Sequence, residues 1–427
     1  MQDILLKYGD LLKKITLGET KKFTLLKSVQ EDIKETEESV IVKALENPID
    51  STRLKDLIRP GYTICIVVPD VTRLWQKPAV YLPFIIKEIE NSGVHFKDIK
   101  FLCALGTHRK QTTEEHRMLV GDELYERFQV VDHDCNDEEN LVYVGTTTFG
   151  TTVKVNKMAL DCDCLIVTGG IVFHDMAGFG GGRKSILPGI SSYETIMSNH
   201  ALSLNPHSKG INPMAKCASM TNNPLNDDMI EAANLVKPRF LFNVIMDSEG
   251  NISKALAGNF ITAHLKGCEV LQKVDGVQIE EKGDLVIASC GGYPKDIDLY
   301  QASKTLSNAK EAVNEGGTII ILAKCVEGVG HHEVLKIITE YDNNDSREKE
   351  IRKTFTIAKY SGYLICDIAE KYNVILVSDI DKDIFKNSKI QAVNSIEEAF
   401  DKCFFKDKDF KKIYIMPNGA NTLPMLK

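Results

Sequence analysis

The feature that most limits how this chain can fold is an alternation. Short β-branched runs that end at Gly, Asp or Pro (TICIVVPD, IKFLCALG, CDCLIVTGG, FLFNVIMD, DLVIASCGG, TIIILA, NVILVSD) are separated by stretches with apolar residues at helical spacing, among them 80–91, 193–202, 260–273 and 303–315. A strand that is apolar throughout is buried on both faces, and strands alternating with helices cover both faces of a sheet with helices. The expectation is therefore an α/β fold with mainly parallel, doubly wound sheets. The 427 residues exceed the roughly 250–300 at which one core stops growing, so two domains are expected with an active-site cleft between them. The polar stretch 272–282 separates two groups of strands, which sets the expected domains at 1–275 and 276–427, the final segment being free to pack back on the N-terminal domain.

A formal net charge of −8 disfavours nucleic acid or an anionic membrane surface as partner and favours a small molecule. The apolar runs fall far short of the ~20 residues that span a bilayer. The N-terminus lacks a signal-peptide stretch and the eleven cysteines are scattered, so reduced thiols in the cytoplasm are expected. The DCDC run at 161–164 reads as buried strand rather than zinc site. His331-His332 reads as structural, and the lysine-rich run 402–412 as a solvated helix or turn.

In doubly wound sheets ligands gather beyond the carboxyl ends of the strands, so the loops to inspect are PDVTR, ALGTHR, TGGIVFHDMAGFGGGRKS and SCGGYPKDIDLYQ. The third is glycine-rich and runs into Arg183-Lys184-Ser185, residue types that bind phosphate once the backbone can approach closely. Neither familiar nucleotide motif fits. A P-loop needs Gly directly before the lysine, where Arg183 stands, and the dinucleotide pattern begun at Gly178 reads GFGGGR. A glycine-rich loop that merely turns a corner is the plainer alternative. His108, His174 and His200 lie in or just beyond these loops. Each alone is more often a structural histidine, but together they suit a general acid, a general base or a ligand to a borderline metal such as nickel or zinc. Arg73 and Lys304, in two further strand-end loops, suit a substrate carboxylate, or surface ion pairs. Asp70 suits a ribose hydroxyl, or the start of a turn.

Taken in order, PDVTR at 69–73, ALGTHR at 104–109, HDMAGFGGGRKSILPGI at 174–190, SNH at 198–200 and DIDLYQASK at 296–304 resemble the nickel-dependent lactate racemase family. The glycine-rich block is specific to that family; the other motifs are weak alone. The resemblance implies a nickel-pincer nucleotide: a pyridinium mononucleotide joined to a lysine through a thioamide, its nickel held by carbon, two sulfurs and a histidine. Lys184 matches that lysine and His200 the nickel ligand. His108 and His174 match the acid/base pair, Arg73 and Lys304 the residues that hold the substrate carboxylate, and Tyr300 and Gln301 residues near the substrate. Asp70, Thr72, Gly182, Arg183, Lys184 and Ser185 would then hold the nucleotide.

The implied reaction is racemisation or epimerisation of a 2-hydroxy acid. Its α C–H is a poor acid beside an ionised carboxylate, and reversible hydride removal avoids the carbanion. Cofactor maturation proteins are implied as partners, and protein made without them would lack the cofactor. Lactate-specific members place a tryptophan from the second domain over the substrate methyl, whereas the sole tryptophan here is Trp75. TIAKYSGY at 356–363, with Lys359, points instead to a larger or dicarboxylic substrate such as malate or 2-hydroxyglutarate. Two other readings stay open: a phosphate-binding NAD or ATP enzyme, and a non-catalytic nickel or nucleotide carrier.

Overall fold

The computed structural model describes residues 2–17, 23–27, 35–404 and 410–427, which form two units. One comprises 30–203 and 212–272, the other 1–29, 204–211 and 273–427.

In the unit of 30–203 and 212–272, six strands pair in the spatial order Ile252–Gly258, Phe240–Met246, Cys164–Gly170, Ile64–Pro69, Ile99–Ala104, Gln129–Asp132. All neighbours are parallel except Ile252–Gly258, which pairs antiparallel with Phe240–Met246 at the edge. Numbered by position in the chain, this is the doubly wound order 3-2-1-4-5-6 with its last strand reversed. Every residue of Ile64–Pro69 and of Cys164–Gly170 is buried, as their unbroken apolar runs require of central strands. The helix Pro78–Glu90 lays Tyr81, Leu82, Ile85, Ile86 and Ile89 against the sheet, in one core with Ile64, Ile66, Phe101 and Phe242. Each of these side chains contributes about 1.5–3 kcal/mol by leaving water. The winding reverses between Ile64–Pro69 and Cys164–Gly170, and at such a switch point the two following loops part and leave a crevice.

In the other unit six strands are parallel throughout, in the order Gln391–Val393, Asn373–Val377, Val313–Leu322, Gly283–Ser289, Ile413–Met416, Phe23–Leu25. Phe23–Leu25 is an edge strand of this sheet, and Gln2–Tyr8 with Leu11–Leu17 forms a hairpin whose Ile4, Leu6, Tyr8 and Ile15 join its core. The described residues 2–17 and 23–27 therefore pack with the C-terminal half, not with the remainder of the expected 1–275 domain. Long-range strand pairing and burial of one hairpin face decide this, and neither is visible in local periodicity. The final strand Leu423–Leu426 pairs in parallel with Gly276–Ile279 inside this same unit.

Two local expectations need correction. The helix expected at 303–315 runs from Leu299 to Ala309, because Asp298 caps it four residues earlier (Oδ1 accepts from Gln301 N–H, 2.6 Å) and Val313 already belongs to a strand. Only Cys164 of the DCDC run lies in a strand; Asp163 instead accepts from Thr63 N–H at 2.9 Å. His331 caps the helix His332–Thr339, its Nδ1 accepting from Glu333 N–H at 3.2 Å. Residues 405–409 of the lysine-rich run lie outside the described residues. Among the described residues, no helix is long and apolar enough to cross a membrane.

Candidate functional site

The loops that follow the two switch-point strands carry most of the motif residues. After Ile64–Pro69 the chain turns at Asp70 into the short 3-10 helix Val71–Gln76. Asp70 Oδ1 accepts from Thr72 N–H (2.9 Å), and its Oδ2 is in short contact with His108 Nδ1 from the loop after Ile99–Ala104. Burial pushes the Asp70 carboxyl up, but hydrogen bonds from His108 and Thr72 and the nearby Arg73 charge outweigh it, and Asp70 titrates below the usual carboxylate range. An ionised Asp70 makes His108 Nδ1 a donor, which leaves Nε2 with a lone pair on a side chain that is 46 % exposed. Arg73 is exposed, with Nη1 donating to the Thr72 hydroxyl (3.0 Å).

After Cys164–Gly170 comes the glycine-rich block. Phe173–His174 pairs with Gly178–Phe179 as a tiny hairpin, and the backbone N–H groups of Met176 and Ala177 both point at His174 Nδ1 (3.2 Å each). An accepting Nδ1 puts the ring proton of neutral His174 on Nε2. Lys184 Nζ lies 3.2 Å from that Nε2. Burial, then the charges of Arg183 and Arg73, bring the Lys184 ammonium down to about 7, so near neutrality much of it is free amine. His200 sits in the last turn of the helix Tyr193–Ala201, which starts at Ser192, whose hydroxyl accepts from Thr195 N–H (3.2 Å). Burial first, then Lys184, lowers His200 to about 3, and its Nδ1–H donates to the Ile196 carbonyl (2.9 Å). His200 is thus a buried neutral imidazole with Nε2 as its lone-pair atom, the state in which histidine binds a metal.

Not every residue of the block faces outward. Arg183 is 2 % exposed, and its guanidinium donates back to the carbonyls of Ala177 (2.7 Å) and Gly181 (3.3 Å), bracing the loop from behind. Ser185 donates to the Thr168 carbonyl (3.1 Å). Both were expected to face a phosphate, yet their polar groups are engaged in holding the loop to its own strand. Gly182, at φ +56°, needs its glycine: a Cβ would stand 2.5 Å from the His264 ring. Its N–H donates to Asn243 Oδ1 (2.9 Å), while Asn243 Nδ2 donates to the Gly169 carbonyl (3.2 Å). Sequence reasoning passed over Asn243 and His264. The one available signal was an amide inside the apolar run FLFNVIM, which a central strand tolerates only if every polar atom finds a partner.

Tyr300, Gln301 and Lys304 lie in the other unit on the first turns of the helix Leu299–Ala309, not in a loop, with Lys304 Nζ donating to Gln301 Oε1 (2.7 Å). Lys359, expected to meet a second substrate carboxylate, is buried and bound to Glu350 (3.2 Å) and the Thr354 carbonyl (3.2 Å), so its charge is already matched inside the unit.

Fold and site together define a doubly wound α/β protein with its titratable groups at the topological switch point. Residues 8–211 match the model of the lactate racemase N-terminal domain, and residues 278–423 that of the C-terminal domain. A lactate racemase of Thermoanaerobacterium thermosaccharolyticum is 34% identical over 394 residues, 91% of this chain and 90% of its own; one from Lactiplantibacillus plantarum is 31% identical over 400 residues, 91% of each. The solved structure of the lactate racemase apoprotein from T. thermosaccharolyticum superposes with a TM-score of 0.89 at 32% identity, covering 99% of this chain and all of that one. A Thermotoga maritima protein at 21% identity and TM-score 0.67, covering 93% of this chain and all of that one, shares the fold. The chain belongs to the lactate racemase family. It is an enzyme, an isomerase of the racemase type.

Proposed function

We propose that this enzyme racemises or epimerises a 2-hydroxy acid, lactate or a larger relative, with a nickel-pincer nucleotide tethered at Lys184. The observation that carries the reading is the gathering at one switch point of a lysine 3.2 Å from His174 whose ammonium is lowered to about 7, a buried neutral histidine and a carboxylate-backed histidine. The donor set suits the group. Lys184 has the nucleophilic form needed for a thioamide, and His200 offers Nε2 to a borderline metal. Thr72 and the Gly182 backbone are proposed to hold the nucleotide, with Asp70 positioned to serve both it and His108. Arg183 and Ser185 support it only by bracing the loop. When bound, the group supplies the acceptor and donor for the substrate's C2 hydride.

The chain's own residues supply the rest. Arg73 is exposed beside the Asp70 turn, where its planar fork can pair with a carboxylate. Lys304, Tyr300 and Gln301 are proposed for substrate contact on the family resemblance alone. His108, its Nδ1–H fixed on Asp70, takes the substrate hydroxyl proton at Nε2, and the ionised Asp70 stabilises the imidazolium that forms. His174 is the second proton carrier, also acting at Nε2, from a different loop. The configuration at C2 is set by which face of the planar 2-keto acid takes the hydride back, and the carbonyl oxygen points to a different side in the two presentations, so racemisation calls for a proton carrier at each.

The deciding experiment measures intact mass and nickel content of protein made together with cofactor maturation proteins, for wild type and Lys184→Ala. The expected result is an adduct with about one nickel per chain, lost in the variant, with chiral chromatography showing interconversion of 2-hydroxy acid enantiomers that His108→Ala and His174→Ala each abolish. Absence of both adduct and nickel from wild type, when the maturation proteins load a known relative, would overturn the reading. Tight NAD or ATP binding that Lys184→Ala removes would favour the phosphate-binding alternative.

A further inference from the structure

Beside the switch point lies a polar cluster that the proposed chemistry does not use. Gln111, in the loop between Ile99–Ala104 and the helix Thr113–Val120, is held on three sides. Its backbone N–H donates to Asp132 Oδ2 (2.7 Å) and its Nε2 to Asp132 Oδ1 (2.8 Å), while Val71 N–H donates to its Oε1 (2.6 Å). His116 Nε2 donates to the same Asp132 Oδ1 (2.8 Å). Asp132 ends the strand Gln129–Asp132, and Val71 lies between Asp70 and Thr72. One side-chain amide thus links the ends of three neighbouring strands.

The hydrogen-bond pattern admits one orientation. Ionised Asp132 only accepts, so the Gln111 NH2 must face it and the carbonyl oxygen is left for Val71 N–H. This ties the turn that carries Asp70 to the loop that carries His108. We infer that Gln111, clamped between Asp132 and the Val71 N–H, is a positioning residue that keeps Asp70 and His108 in register for proton transfer. The inference rests on the reading of His108 as an acid/base group.

Cys103, His116 and Asp132 also bring potential metal-ligand atoms within 4.8 Å of one another. Both Asp132 oxygens are already used by three donors, and burial pushes the Cys103 thiol well up, so it stays protonated. Hydrogen bonding accounts for the cluster without an ion.

The test uses enzyme loaded with its cofactor and compares Gln111→Met, Gln111→Glu, Asp132→Asn and His108→Ala with wild type. Melting temperature, nickel content, kcat, KM and the pH profile of kcat are measured. Gln111→Met, of similar length but without either hydrogen bond, is expected to melt within a few degrees of wild type and load the same nickel. Its kcat should fall on the order of 10- to 100-fold at nearly unchanged KM. In Gln111→Glu the new carboxylate opposes Asp132 until it is protonated and can donate, so its kcat relative to wild type should rise as pH falls. The charged groups beside Asp70, His108 and Arg73, are unchanged in the two Gln111 variants. If Gln111→Met fails to fold or load, Asp132→Asn with nickel and melting temperature retained must show the same kcat loss.

Normal kcat and a superimposable pH profile in Gln111→Met, alongside an inactive His108→Ala, would overturn the inference and leave the function standing. A fully active His108→Ala would overturn both. Zinc retained by wild type after dialysis and lost in His116→Ala would replace positioning with a metal site.

Discussion

Lys184 and Gly182 show how single side chains at this site are tuned by what surrounds them. Burial and the charges of Arg183 and Arg73 bring the Lys184 ammonium down to about 7, whereas a surface lysine is almost wholly protonated at pH 7. The rate of acylation at Lys184 in the protein without cofactor, followed by peptide mass mapping across pH 5–11, should rise with a midpoint near 7; a midpoint in the range of the exposed lysines would contradict its lowered pKa. Gly182→Ala forces a Cβ against the His264 ring at a positive φ and should cost on the order of 2 kcal/mol, read as a lower urea midpoint. Lys184 was legible in the sequence because its neighbours form a specific motif. The inward turn of Arg183 was not, because a residue's type does not say which way its side chain leaves a loop.

Among the elements, the helix Tyr193–Ala201 does the most for the site, since it carries His200 in its last turn. Its start is set by Ser192, and Ser192→Ala should cost about 1 kcal/mol of stability, seen as a lowered melting temperature. On the proposal that His200 holds nickel, nickel retention in the loaded protein should weaken in parallel, which dialysis against a chelator would measure. The seven strands expected from β-branched runs all form, because a run apolar on both sides has no use except inside a parallel sheet. The helix expected at 303–315 was misplaced because apolar spacing persists across its end, while Asp298 decides where it begins.

For the whole molecule the buried histidines set the pH response. His200 and His264 are both brought to about 3, chiefly by burial, from an ordinary value near 6.5. The unfolded chain therefore binds more protons than the folded one below pH 6.5. The contribution of these two histidines is full above that pH and is lost progressively as pH falls toward 3. Urea midpoints should drop steadily from pH 7 to pH 4, and a flat profile over that range would show that the two imidazoles are charged in the folded protein.

The α/β class, the seven buried strands and the loops where Asp70, His108, His174 and Lys184 stand follow from burial pattern and residue type, which are local properties. Which strands are neighbours, and hence where the switch point falls, depends on contacts between distant segments. Tertiary contacts also put Phe23–Leu25 in the C-terminal sheet and the N-terminal hairpin on its core, bring Asn243 and His264 behind the glycine-rich loop and Gln111 between Val71 and Asp132, and spend Arg183 and Lys359 on internal contacts. These depend on pairings between residues far apart in the chain, where a buried polar group takes whichever partner the fold brings within reach.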